Sequence, residues 1–444
     1  MLEKIYEVYC QGKKEYDEDC STFSKLNRIT NSSENKIIND KNKYENKNKI
    51  VLGDNYQYYL ECLSKDMKMD LVYMDPPFFS MADYSSVVTT NKINNEDKIE
   101  SIKIASYKDS WAKNDGSYEY FRGIVKILLL AKNILSENGV VWIHLDWHAV
   151  HYVKVLADKI FGTDCFLNEI IWNYKSGGAG GNQFSRKHDT LLVYSKNKGR
   201  KLNIPKERSY NRGNKPYRFE GVKEYEDENG DWYTLVNMKD VWQIDMVGRT
   251  SKERNGYATQ KPQELLRRVI ESSSDEGTLC ADFYGGSGAF AMACCDSNRN
   301  FISCDKNPLS ARLLEKYMFQ NDIDFEFIDL INTKKVGYLT YPIKIKVTRD
   351  DEIARINNYE LDTSKMNFKK AEREKVENIL KENPLSFISY YEISEISTEE
   401  KNVANIIVTP NKNSRIALEF VLKKGTQYKI RVIDIFGNEA VSFI

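Results

Sequence analysis

From about residue 50 to residue 314, short apolar runs alternate with stretches whose apolar residues recur every three or four positions. The runs read as buried strands and the 3.6-residue period as helices laid over them. Phe121, Ile124, Val125, Leu128, Ala131 and Leu135 form one such stripe over 118–138, with Gly139 as the expected stop. A strand over 140–146, a helix over 153–161 ended by Gly162, and strands over 169–174 and 190–195 follow. After Pro262 the order is helix, strand (278–284), helix (289–295), strand (301–305), then a helix after Pro308. Alternating strands and helices predict an α/β fold, a mostly parallel sheet with helices on both faces.

The 444 residues leave room for two or three domains. Residues 1–49 read as an N-terminal segment with an Asn/Lys/Glu-rich linker from Ser32 to Lys49, and 50–332 as the α/β domain. Within it, the polar stretch 80–109 predicts a mobile loop over a strand end, and 175–249 an irregular insertion. Residues 333–444 read as a mainly β C-terminal accessory domain, with a charged helix over 368–381 and no chemical motif.

Eight cysteines without a C-x-x-C pair read as packing residues in a reducing cytoplasm. No signal-peptide region or membrane-length apolar run is visible, so a soluble, cytoplasmic protein without a membrane partner is expected. His144, His148 and His151 are explained by a strand end and a helix face, and no metal is expected. The Gly-rich run 176–181 reads as a hinge. Lys and Arg balance Asp and Glu at 65 each, which excludes binding to nucleic acid through bulk charge alone. The charge is nevertheless segregated. Residues 175–218 hold twelve Lys and Arg against Asp189 and Glu207, interleaved with Phe184, Tyr194, Tyr210 and Tyr217.

Two motifs carry chemistry. Asp75-Pro76-Pro77-Phe78 ends the apolar run 71–74. Proline cannot continue the ladder, so a carboxylate, free carbonyls and an aromatic face arrive together at a strand end. Asp75 and the Pro76 carbonyl suit the two hydrogens of an exocyclic amine, with Phe78 stacked on its ring. The second motif, Asp282-Phe283-Tyr284-Gly285-Gly286-Ser287-Gly288, lies between a strand and a helix, where glycines let a ligand approach the backbone. Asp305 ends the next strand, the place of a ribose acceptor in open α/β sheets. There is no P-loop, and the turn departs from dinucleotide spacing; a cofactor with a ribose and an amino-acid tail fits better than NAD.

In this order the two motifs resemble the β-class of S-adenosyl-L-methionine-dependent DNA amino-methyltransferases, including the modification subunits of type III restriction systems. Similar stretches are Gly53-Asp54-Asn55, His144-Leu145-Asp146-Trp147-His148, Asn168-Glu169-Ile170-Ile171-Trp172, Arg186-Lys187-His188-Asp189 and Tyr257-Ala258-Thr259-Gln260-Lys261-Pro262. The resemblance implies a Rossmann-like methyltransferase sheet and site-specific methylation of adenine N6 on a flipped-out base. It implies that Asp282, Phe283, Tyr284, Gly285, Gly286, Ser287 and Gly288 wrap S-adenosyl-L-methionine and that Asp305 binds its ribose. Thr259 and Lys261 would lie near the methionine end, with Asp54 at the pocket. Where the family often has proline and two threonines, this chain has Phe283, Ala289 and Phe290.

Double-stranded DNA is the implied partner, with a homodimer or a restriction subunit as further alternatives. The basic insertion, with Lys175, Arg186, Lys187, Arg208, Arg212 and Arg218, is the candidate DNA-binding surface. N4-cytosine methylation and a non-catalytic specificity subunit stay open as alternatives. No proline precedes a cysteine, so the Pro-Cys nucleophile of cytosine-C5 methylation is missing.

Overall fold

The computed structural model describes residues 2–27, 36–38, 48–109, 116–175, 181–248, 250–331, 343–396 and 404–444. A ten-stranded sheet runs through its centre. Its spatial order is Lys36–Ile38, Glu326–Asp329, Lys49–Leu52, Asn300–Asp305, Leu279–Asp282, Met69–Met74, Leu135–Leu145, His188–Ser195, Phe166–Asn173, Val241–Gln243. Pairing is parallel from Glu326–Asp329 through Leu135–Leu145. His188–Ser195 is antiparallel to both of its neighbours, and Lys36–Ile38 to its one.

Side-chain alternation along Met69–Met74 shows why both faces are covered. Val72 and Met74 enter one apolar cluster with helices Leu2–Asn27, Asn55–Ser64, Gly116–Ile134 and Val150–Phe161. Leu71 and Tyr73 enter the other, with helices Gln263–Ser273, Ala289–Asp296 and Pro308–Gln320. The expected sheet with helices on both faces is therefore the one observed.

Several local readings change. The helix expected to reach Asn138 ends at Ile134, and a strand starts at Leu135. Gly139 lies inside that strand, where a Cβ would come 2.9 Å from the Met69 carbonyl oxygen. The 80–109 stretch is not a structureless loop. Asp83–Thr89 and Ser101–Lys108 form an antiparallel hairpin. In the first strand the buried side chains are Ser86 and Val88, so the apolar alternation that announces a strand is missing there.

The insertion also has order. Lys206–Tyr210, Glu224–Glu226 and Trp232–Asn237 make a three-stranded sheet, and Val241–Gln243 joins the edge of the central one. The N-terminal segment is a helix, Leu2–Asn27, tied to its neighbours by Glu15–Arg122 (3.2 Å) and Asp19–Lys126 (2.7 Å) ion pairs. Most of the linker after Ser32, and residues 176–180 of the expected hinge, lie outside the described residues.

Beyond residue 342 the strands form two antiparallel sheets, with helix Lys370–Glu382 beside them. Their apolar cluster is shared with Val88 and Ile102 of the hairpin, Tyr257 and Leu309.

Candidate active site

Met69–Met74 and Leu279–Asp282 are neighbouring parallel strands, with Tyr73 opposite Asp282. Their carboxyl ends therefore release Asp75–Phe78 and the glycine loop side by side. The chain leaves the first strand towards helix Gly116–Ile134 on one face and the second towards helix Ala289–Asp296 on the other. Such a divergence opens a crevice at the strand ends. The cleft here is about 1000 Å³ and is lined by Asp54, Asp75 to Phe78, Thr259, Lys261, Asp282 to Ser287 and Asp305. Gly288 does not line it; at φ 76° it caps the helix that follows.

The Asp75 turn is held from outside. The Tyr120 hydroxyl donates to the Pro77 carbonyl (2.7 Å), while the backbone N–H groups of Phe79 and Ser80 donate to the buried Asp109 carboxylate (3.1 and 2.7 Å). Among the described residues the Pro76 carbonyl receives no hydrogen bond from the protein. Phe78 lies 5.7 Å from the imidazole of buried His144. His144 is spent on structure: its Nδ1 is 2.7 Å from the Tyr73 hydroxyl and its Nε2 is 3.2 Å from Asp189, which also accepts from Tyr174 (3.0 Å). His148 Nδ1 pairs with Asp146 at 2.7 Å.

Lys261 lines the cleft beside the Asp75 turn. Its ammonium donates to Asp75 Oδ2 at 2.5 Å and lies 5.2 Å from the Phe78 ring centre. Thr259, two residues earlier, has φ 55°, a left-handed conformation that β-branched residues resist, and its hydroxyl is 3.3 Å from that of Tyr107.

On the glycine side, Asp282 accepts from the Tyr284 N–H at 2.8 Å. Burial, with Asp75 and Asp305 adding their charge, pushes its carboxyl up to about 8. Burial also raises the Asp305 carboxyl, whose two oxygens accept from the Gly286 and Asn307 N–H groups (2.7 and 2.8 Å). Asp305 thus braces the loop as well as facing the cleft. Gly285 is required by close approach: a Cβ there would meet Ser303 Oγ at 2.5 Å. Phe283 turns inward, its ring stacked on Tyr59 at 3.5 Å and 14°, so its side chain serves the core. Asp54 caps helix Asn55–Ser64 through the Gln57 N–H, and Asn55 donates to the Phe283 carbonyl.

None of the six basic residues singled out from the sequence lines the cleft. Arg186 places its guanidinium 3.9 Å over the exposed ring of Trp147, and Arg208 lies 4.9 Å over Tyr233. Lys175 is 3.8 Å from Asp245, and Lys187 donates to the Lys175 carbonyl at 3.5 Å. Arg212 and Arg218 sit where their backbone N–H groups meet Tyr217 and Glu224. Trp147 follows the strand whose Ile143 pairs with Met74, so Trp147 and Arg186 occupy the same rim as Asp75.

The contributors to the wall that sequence reading missed include Tyr107 from the hairpin, and Met366, Phe368 and Phe436 from the C-terminal region. They belong to no local motif and reach the cleft only through tertiary packing.

The family model described as DNA methylase matches residues 69–316, from the strand before Asp75 to the helix after Asp305. The chain belongs to the N6/N4 DNA methylase family. This methylase is 28% identical over 267 residues to the type II methyltransferase M2.DpnII of Streptococcus pneumoniae, covering 59% of this chain and 87% of the relative. It is 24% identical to the type II methyltransferase M.HpaI of Haemophilus parainfluenzae, covering 60% and 73%. A crystal structure of an M1.HpyAVI–SAM complex aligns over 61% of this chain and 99% of its own, with 14% identity and a TM-score of 0.38. Among the described residues no helix is long and apolar enough to cross a membrane.

S-adenosyl-L-methionine is the methyl donor of this family, and the donor set of the cleft suits it. Asp54, Asp75, Asp282 and Asp305 line the cleft together, a set of oxygen acceptors for a ligand that carries an ammonium and a diol. At Gly286 a Cβ would meet Tyr257 and Tyr284 only at 3.5 Å, so the backbone of the loop is bare on that side.

Proposed function

We propose that this methylase transfers a methyl group to the N6 amine of adenine in double-stranded DNA, at a specific site and on a base turned out of the duplex. One observation carries the reading: Asp75 to Phe78 and the Asp282 to Gly288 loop open from adjacent parallel strands into one cleft. An aromatic amine is a poor nucleophile because its lone pair is delocalised. Asp75 and the Pro76 carbonyl, each accepting one amine hydrogen, turn that lone pair out of the ring plane, and Phe78 fixes the plane by stacking. S-adenosyl-L-methionine supplies the methyl group as an electrophile. Turning the base out costs a few kcal/mol, offset by Phe78 and by contacts from the basic insertion.

On the rim, Arg186 over Trp147 and the fully exposed Phe184 are suited to the backbone and to base faces. The proposed DNA-contacting set is therefore Arg186 and Lys187 at the rim, with Lys175, Arg208, Arg212 and Arg218 farther along the insertion. For the cofactor, Asp282 and the Gly285–Gly286 backbone are the proposed contacts, Asp305 and Asp54 act partly by holding the loop, and Phe283 acts only through its backbone.

The type II relatives support a place in a restriction–modification pair; the proposed location is the cytoplasm. Size-exclusion chromatography with and without a cognate endonuclease decides between a homodimer and a restriction subunit as partner.

The test is nucleoside analysis of duplex DNA incubated with protein and S-adenosyl-L-methionine. N6-methyladenine is the expected product; N4-methylcytosine alone would transfer the reading to the other amine that the same turn can hold. Asp75→Ala should lower the rate by at least about 10²–10³-fold. If wild type and variant were equally inert, the chain would be a specificity subunit.

A further inference from the structure

The Lys261 ammonium, 2.5 Å from Asp75 and 5.2 Å from the centre of the Phe78 ring, lies between the two surfaces that a held base must touch. Both partners are largely buried, with 10% and 19% of their side chains exposed, so leaving either unpaired is costly. The segment that delivers Lys261 is cross-braced. Gln260 accepts from the Asn255 N–H (3.0 Å) and donates to the Glu253 carbonyl (2.6 Å), and Asn255 donates to the Ser287 carbonyl of the glycine loop (2.7 Å). A side chain aimed from so fixed a backbone at the Asp75 carboxylate has a defined place in the site's charge balance.

Direct transfer needs the methyl-bearing centre within about 3–3.5 Å of the amine. A cationic cofactor therefore brings a second positive charge to the neighbourhood that the ammonium already holds. Two cations beside one carboxylate repel, and more strongly in a largely buried site than in water.

We propose that Lys261 is a positioning residue that gates the base pocket by charge. Its ammonium keeps Asp75 occupied while the cofactor site is empty, and withdraws when a cationic cofactor enters, so that Asp75 accepts the target amine only in a loaded site. Once the methyl group has left, the remaining thioether is neutral, and Lys261 returns to Asp75 as the methylated base leaves. The gate rests on the methyltransferase reading above.

Calorimetric titration with S-adenosyl-L-methionine and with neutral-sulfur S-adenosyl-L-homocysteine separates the two. Lys261→Gln and Lys261→Met, measured side by side so that a folding defect in one does not remove the test, should tighten the sulfonium ligand relative to the thioether about tenfold. Lys261→Arg, which keeps the charge, should leave the ratio at the wild-type value. An unchanged ratio in the neutral variants, or an equal shift in Lys261→Arg, overturns the gate. Failure of the wild type to bind either ligand overturns the methyltransferase reading itself.

A second readout uses a duplex that the wild type methylates, with 2-aminopurine at the target. In the wild type, base extrusion should require sinefungin, a cationic analogue without a transferable methyl group; in Lys261→Gln, S-adenosyl-L-homocysteine should serve as well. Equal extrusion of the base by both ligands in the wild type would also overturn the gate.

Discussion

Asp282 carries the most unusual charge in the site. Its carboxyl is raised from 3.8 to about 8, chiefly by burial, so the folded chain holds a proton that the unfolded chain releases. A raised folded value gives stability that is fully present below about 3.8 and lost as pH rises through about 8. Asp282→Asn, which imitates the protonated acid, should therefore flatten the fall. Thermal unfolding of the cofactor-free protein from pH 5.5 to 9 checks this: the wild type should lose Tm relative to Asp282→Asn over that range, and parallel curves would refute it. The chemistry of this residue was legible in the sequence, because a strand ending in Asp before Gly-rich residues has few other uses. Its neighbours were less so. Phe283 read as a cofactor contact but is committed to Tyr59, and nothing local to Lys261 showed that it would reach across 186 positions to Asp75.

Among the elements, the Asp83–Lys108 hairpin shows why part of the fold was hidden. Its first strand, Asp83–Thr89, alternates in burial without alternating in polarity, since Ser86 is as buried as Val88. The central strands, apolar and flanked by helices, had no such ambiguity. Besides Tyr107, the hairpin reaches the site through two contacts to backbone: the Val87 N–H donates to the Gly256 carbonyl (2.8 Å), and the Ser86 hydroxyl accepts from the Ala258 N–H (2.9 Å). Gly256 has φ 90°, and a Cβ there would stand 2.1 Å from the Val87 carbonyl oxygen. Gly256→Ala should cost about 1–2 kcal/mol from the backbone alone, with the clash added. Because the same segment carries Thr259 and Lys261, cofactor affinity should fall with it. Urea unfolding and ligand titration of the variant check both; loss of stability with unchanged affinity would mean that the hairpin does not position the site.

For the whole molecule, the decisive interaction joins the C-terminal sheets to the helix that follows Asp305. Arg312 and Glu315 of that helix meet Glu439 and Arg431 of the C-terminal strands, with Glu392 and Tyr390 alongside. Burial opposes charging Glu315, yet the guanidinium groups of Arg312 and Arg431 hold its carboxyl below the ordinary range. Nearby, Gly437 fits against Pro308 and Leu309 only because it lacks a Cβ, and Phe436 beside it reaches the cleft wall.

Such a network contributes little over a well-packed apolar core, but breaking one member leaves buried charge uncompensated, a cost of about 3–5 kcal/mol. Arg431→Met takes the cation from Glu392 and leaves Arg312 alone to balance Glu315 and Glu439, so two carboxylates are uncompensated. It should lower unfolding stability by about that amount and weaken cofactor binding, because Phe436 and Phe368 lose their seating. Adding Glu315→Gln and Glu392→Gln to Arg431→Met removes the stranded charges and should recover much of the stability. Cofactor affinity should return only as far as the C-terminal sheets seat themselves again. Denaturation and titration of the single and triple variants therefore separate the two roles. If affinity stayed at the wild-type value in Arg431→Met while stability fell, the C-terminal region would be a passenger on the methylase rather than a wall of its cleft.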